Sequence, residues 1–265
     1  MQGTWHRRLG SWFFFGLWAT TAGAWLGTAQ AASSVMIWPV DPVIEEGQRA
    51  AAMWLENRGS DSVSLQIRVF RWSQSGTAEN YENQEQVLAS PPLATIPPGQ
   101  RQLVRLMNTG PVAAGEEQAY RVLVDELPDV DPPKDGTAGN TPAATIGVKL
   151  QIRYSVPLFI NGKGLVTKAT SATATPTGQV DLRWRTVREG DAHYLVIRNS
   201  GNMHARLTSV QWSGAAQPQV INAGLLGYVL AGSEMRWQLA APPPPGLKPE
   251  AKINGAQTPL ALNPQ

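Results

Sequence analysis

The stretch IGVKLQIRYSVPLFI, residues 146–160, decides the reading of this chain. Ile146, Val148, Leu150 and Ile152 alternate with Gly147, Lys149, Gln151 and Arg153. A period of two puts the four apolar side chains on one face of a strand and the two cations on the other. The run follows PDVDPPKDGTAGNTPAAT at 128–145, a Pro-, Gly-, Thr- and Ala-rich segment that packs no core and reads as a long loop. An apolar strand face behind such a loop reads as a strand built to be used.

The same alternation recurs on the N-terminal side. Val63, Leu65, Ile67 and Val69 alternate in VSLQIRV, Val104 and Leu106 flank Arg105 in QLVRLM, and Tyr120, Val122 and Val124 alternate in YRVLVDEL. Turn signals separate these runs at Glu46-Gly47, Arg58-Gly59-Ser60, Pro97-Pro98-Gly99 and Asn108-Thr109-Gly110. Many short strands at this spacing predict a β-sandwich. Asn161-Gly162-Lys163-Gly164 forms a turn, and the domain boundary is placed there. Beyond it, strands are predicted at 180–187, 193–199, 205–212, 226–239 and 251–262, with Asn199 to Asn202 as a tight turn joining two of them. The expected organisation is an all-β chain with domains at 32–160 and 161–265.

Residues 1–31 read as a secretory signal peptide. Arg7 and Arg8 form its basic start, SWFFFGLWATTAGAWLG its apolar centre, and Ala29 and Ala31 its cleavage pattern. No later run is long and apolar enough to cross a bilayer as a helix, so no stable membrane insertion is expected after cleavage. Loss of Arg7 and Arg8 leaves Lys and Arg in balance with Asp and Glu, which gives no charge-based case for nucleic acid or an anionic membrane as partner. The chain has no cysteine. An exported protein without disulfides must rely on its own core, which fits a bacterial periplasm.

No catalytic pattern stands out. His193 and His204, the two histidines beyond the leader, have neither metal-ligand spacing nor a neighbouring carboxylate, and read as surface or strand-end residues. There is no nucleophile elbow, zinc-protease motif or phosphate loop. Asp125 and Glu126 are adjacent on a strand, point to opposite faces and cannot converge on one bond. The tryptophans beyond the leader lie along predicted strands, where packing accounts for them. No cofactor or metal is expected.

Five segments carry a resemblance: SVMIWPVDPVIEEG (34–47), AAAMWLENRGSDSVSLQIRVFRW (50–72), ASPPLATIPPGQRQLVRL (89–106), AYRVLVDELP (119–128) and KLQIRYSVPLFI (149–160). In this order they resemble the first domain of the periplasmic pilus-assembly chaperones of the chaperone–usher pathway, in the archaic branch that serves spore-coat-U-type pilins. RNSGNMHARLTSVQW (198–212) fits that family's second domain more loosely. The resemblance implies two immunoglobulin-like sandwiches in an L or boomerang, no enzyme activity, and pilin subunits and an outer-membrane usher as partners. It also implies donor-strand complementation, a recognised mode of strand addition. Ile146, Val148, Leu150 and Ile152 would then fill the groove of an incomplete pilin, and their exposure in the free protein makes self-association plausible.

In that family two basic residues hold the pilin's terminal carboxylate. The better-known branch places one of them in the first strand, but residues 32–48 contain no Lys or Arg. The resemblance matches Arg153 by position to the second cation and, with the archaic branch carrying the first inside domain one, implies Arg121 in the strand before the loop as its partner, with Arg105 and Lys149 in reserve. A different reading makes the chain a secreted fimbrial or coat subunit. Two complete sandwiches and the lack of a cysteine pair count against it. A secreted hydrolase or sugar binder is a third reading, without a visible site.

Overall fold

The computed structural model describes residues 35–128, 151–165, 178–214 and 217–265. The leader, nearly all of the 128–145 loop, and Ile146, Val148, Lys149 and Leu150 lie outside the described residues.

Two immunoglobulin-like sandwiches follow one another. In the first, β1 (Val35–Trp38), β3 (Ala50–Asn57), β8 (Arg101–Asn108) and β6 (Val87–Ser90) form a sheet in the order β1-β3-β8-β6. Facing it is a sheet of β2 (Val43–Ile44), β10 (Arg153–Asn161), β9 (Glu117–Glu126), β4 (Val63–Ser75) and β5 (Ala78–Glu82) in the order β2-β10-β9-β4-β5; β7 (Leu93–Ile96) also pairs with β4. Alternation decides which side chains meet between the sheets. Val63, Leu65 and Ile67 of β4, Tyr120, Val122 and Val124 of β9, and Val156, Leu158 and Ile160 of β10 are buried in one core with Met53, Leu55, Val104 and Leu106 of the opposite sheet. The chain leaves the first sheet after Trp38 and enters the second at Val43, beside β10.

In the second sandwich β15 (Glu234–Leu239), β12 (Ala192–Asn199), β11 (Leu182–Glu189) and β18 (Asn263–Pro264) form one sheet in the order β15-β12-β11-β18. The other, ordered β14-β13-β16-β17, comprises β14 (Gln219–Val229), β13 (Ala205–Ser213), β16 (Lys248–Ile253) and β17 (Leu260–Ala261). Leu195, Ile197, Leu207, Val210, Val229 and Ala251 fill its core.

One expectation needs correction here. The run 226–239 is not one strand: β14 ends at Val229, and a turn with Gly232 in the left-handed region (φ 67°) leads into β15. The same sequence therefore serves two sheets. The Asn199–Asn202 turn joins two strands as expected, and it carries the chain from β12 in one sheet to β13 in the other.

That crossing has a counterpart in the first sandwich, at a second Asn-x-Gly. The fully buried Asn57 donates through Nδ2 to the carbonyls of Asp61 (2.7 Å) and Ile96 (2.8 Å), and accepts at Oδ1 from Gly59 N–H (2.9 Å). The fully buried Asn199 donates to Met203 (2.6 Å) and Val229 (3.1 Å) and accepts from Gly201 N–H (3.0 Å). A short amide side chain satisfies the backbone where a strand ends and the ladder cannot.

Candidate functional site

Strand β10 lies near the margin of its sheet. It pairs with β9 along its whole length, from Arg153↔Asp125 to Asn161↔Glu117. On its other side β2 pairs only with Phe159 and Ile160. Among the described residues the margin from Arg153 to Leu158 has no ladder partner. Ile152 leads into this margin, and its side chain is exposed although it is a large aliphatic group. Its carbonyl accepts from Glu126 N–H at 3.1 Å, so the pairing with β9 extends one residue beyond the strand. Unpaired N–H and C=O groups along such a margin can bind a further strand.

The outward face of β10 carries Arg153, Ser155, Pro157 and Phe159, opposite Asp125, Leu123, Arg121 and Ala119 of β9. At one end Arg153 forms an ion pair with Asp125 through Oδ1. The other oxygen of Asp125 accepts from Arg68 Nη2 (2.7 Å) and Nε (3.2 Å). Burial pushes the Asp125 carboxyl upward, but the hydrogen bonds and charges of Arg153 and Arg68 outweigh it and hold the group below the usual range.

Arg121 occupies the other end of this face. Its guanidinium lies 3.8 Å from the Trp72 ring centroid and 5.4 Å from that of Tyr228, with Glu79 at 3.9 Å. Glu79 also accepts from the Tyr81 hydroxyl, so Arg121 shares a distant carboxylate. Its Nε is buried and has no hydrogen-bond partner among the described residues. The structure does not bring Arg121 and Arg153 together. Arg121 faces Pro157, four residues along β10 from Arg153, or about 13 Å at the strand rise, and each guanidinium is turned to its own neighbours. Arg105 is exposed on β8 of the opposite sheet, and Lys149 lies outside the described residues.

Between Arg121 and the second sandwich lies a cluster that sequence reasoning missed. Trp72, Ala119 and Phe159 pack with Tyr228 and Leu230 of the second sandwich. His204, expected at the surface or at a strand end, stands directly before β13 and stacks on Phe159 with ring centroids 3.5 Å apart and planes 4° apart. Its Nδ1 lies 2.8 Å from Glu117 Oε2, and its backbone N–H donates to Glu117 Oε1 at 2.8 Å. Gln74 donates to the Tyr228 carbonyl (3.0 Å) and accepts from Leu230 N–H (2.8 Å). Glu117 and His204 are 87 positions apart, so no local spacing could have revealed the pair. His193 sits half-buried on β12. No group of three or more potential metal ligands occurs among the described residues.

A chain of two immunoglobulin-like sandwiches has counterparts among known proteins. A family model described as pili and flagellar-assembly chaperone, PapD N-terminal domain, matches residues 34–166. The chain belongs to this family. Among solved structures, it resembles the CsuC chaperone of the CsuC–CsuE chaperone–tip adhesion subunit pre-assembly complex, from the archaic chaperone–usher Csu pili of Acinetobacter baumannii. Identity is 30%, coverage 88% of this chain and 99% of that one, and the TM-score 0.65. This places the chaperone in the archaic branch. The Salmonella enterica SafB chaperone complex with the SafA pilin (18% identity, 89% and 98% coverage, TM-score 0.57) and the E. coli chaperone DraB (14%, 89% and 98%, 0.56) share the fold. No curated protein sequence matches the chain.

Proposed function

We propose that this chaperone captures pilin subunits in the periplasm by lending them a strand, and passes them to an outer-membrane usher. The open margin of β10, with Ile152 exposed at its mouth, carries this reading. The lent segment comprises Ile146, Val148, Leu150 and Ile152, continuous with β10, and residues 1–31 are the leader that directs export. Four apolar side chains entering a groove contribute about 6–12 kcal/mol gross. Ladder hydrogen bonds add about 0.5–1.5 kcal/mol each, and docking and ordering costs offset much of the sum.

Arg121 is the cation best placed to receive the subunit's terminal carboxylate. Among the described residues its Nε–H lacks an acceptor, Glu79 is far for a strong ion pair, and the Trp72 ring backs the guanidinium at 3.8 Å. Charge-assisted bonds of this kind are roughly twice as strong as neutral ones.

Co-expression with a pilin subunit of an archaic chaperone–usher system tests the proposal. Leu150→Asp and Ile152→Asp should each abolish co-purification of the pilin and leave the free chaperone folded; Arg121→Ala should reduce the yield. Full pilin yield with both aspartate variants would refute the strand assignment.

A further inference from the structure

The two cations expected to serve one carboxylate stand apart, and the partners of Arg153 suggest a different task for it. Arg153 opens β10, where the described margin begins, and directly opposite it in register lies Asp125. Asp125 uses both oxygens, one toward Arg153 and one toward Arg68 on β4, so three neighbouring strands are joined at one carboxylate. On the opposite face of the same two strands the next residue repeats the connection. Tyr154 donates through its hydroxyl to Glu126 Oε1 (3.2 Å), and the hydroxyl oxygen lies 3.4 Å from the Val35 N–H, which donates to it at the start of β1. Consecutive residues of β10 are thus tied from both faces at its first two positions. A slip by one residue would put Arg153 into the core, Tyr154 into solvent, and every residue before them on the wrong face.

We propose that Arg153 acts within the chaperone as a register pin, held by Asp125 and Arg68 outside and backed by Tyr154 and Glu126 inside. The pin sets which face Ile152 and the residues before it present. Asp125 is then a positioning residue for strand donation, and the subunit's carboxylate is left to Arg121. This rests on the strand-lending reading of the preceding subsection.

Asp125→Asn decides between the two roles of Arg153, because they predict opposite signs. If Arg153 serves the client, removing its internal carboxylate frees it and capture rises. If Arg153 is a pin, Asp125→Asn and Arg153→Gln both lower capture, the double variant is no worse than the poorer single one, and Arg153→Lys recovers most of the loss. A second arm needs no client. In the free chaperone the Glu126 amide, bonded to the Ile152 carbonyl at 3.1 Å, reports on the pin by hydrogen exchange. Each neutral variant should lower its protection by up to about five-fold, the range of a cross-strand charge pair, and Arg153→Lys should restore it. Unchanged protection in both variants, or higher capture with Asp125→Asn, overturns the pin. Absence of pilin capture by the unmodified chaperone would overturn strand lending instead, and the exchange arm would still decide the pin.

Discussion

Replacing Phe159 by alanine should uncouple the two sandwiches without unfolding either. Phe159 is fully buried, yet it belongs to neither sandwich core; its ring faces outward from β10 and lies under the second sandwich. It stacks on His204 at 3.5 Å and has ring centroids 6.0 Å from Trp72 and 6.2 Å from Tyr228. Truncating a buried phenylalanine costs about 3–5 kcal/mol. Among the described residues the hydrogen bonds that remain are the paired bonds of Gln74, those of Glu117 with His204, and one from Asn202 Nδ2 to the Gly115 carbonyl at 3.3 Å. At about 0.5–1.5 kcal/mol each these five supply about 2.5–7.5 kcal/mol gross, so Phe159 is comparable to the hydrogen bonds taken together. Calorimetry should show the heat absorption of the intact chaperone separating into two steps in the variant, because the cores around Leu65 and Val122 and around Leu195 and Leu207 are untouched. A single transition at the original midpoint would refute the view that this ring joins the halves. The variant should also capture less pilin, since Trp72 loses a neighbour that keeps it under Arg121.

Three further outcomes follow from the structure. The Asp125 carboxyl and the Glu234 carboxyl are both held below their usual range, Glu234 chiefly by its two hydrogen bonds from Arg185 at 2.9 Å. A group with a depressed folded-state pKa adds stability above its unfolded value of about 4 and loses it as pH falls through the folded value. The chaperone should therefore lose stability below about pH 4, and Asp125→Asn combined with Glu234→Gln should flatten this limb in acid titrations followed by circular dichroism. Asn57→Ala and Asn199→Ala each leave buried backbone groups without partners, which costs about 1–3 kcal/mol per group; urea midpoints should fall in both, and unchanged midpoints would contradict the crossing role of these side chains. Trp72→Leu removes the ring face under Arg121, a cation–π contact of about 0.5–2 kcal/mol. Pilin capture should drop in that variant and should become less sensitive to whether the subunit ends in a free acid or an amide.

The first sandwich was legible because its strands announce themselves locally. Val63 to Val69 and Tyr120 to Val124 alternate with period two, and Gly- and Pro-containing turns stand where the chain reverses. Run 226–239 carries a turn signal of its own at Gly232-Ser233, and the placing of β14 and β15 in two different sheets shows that it is two strands. His204 looked solitary because its carboxylate partner and its stacking ring come from β9 and β10 of the other sandwich.

Period and punctuation along the chain determined that this protein is built of strands, and which residues of β4 and β9 face a core. Register and sheet order determined the rest. They opened the margin of β10, set Arg153 against Asp125 and Arg121 against Trp72, and packed Phe159 against the second sandwich. Alternation is a property of neighbouring residues and survives in the linear sequence. Which cation meets which carboxylate depends on how strands far apart in the chain align, and that alignment exists only once both sandwiches have packed.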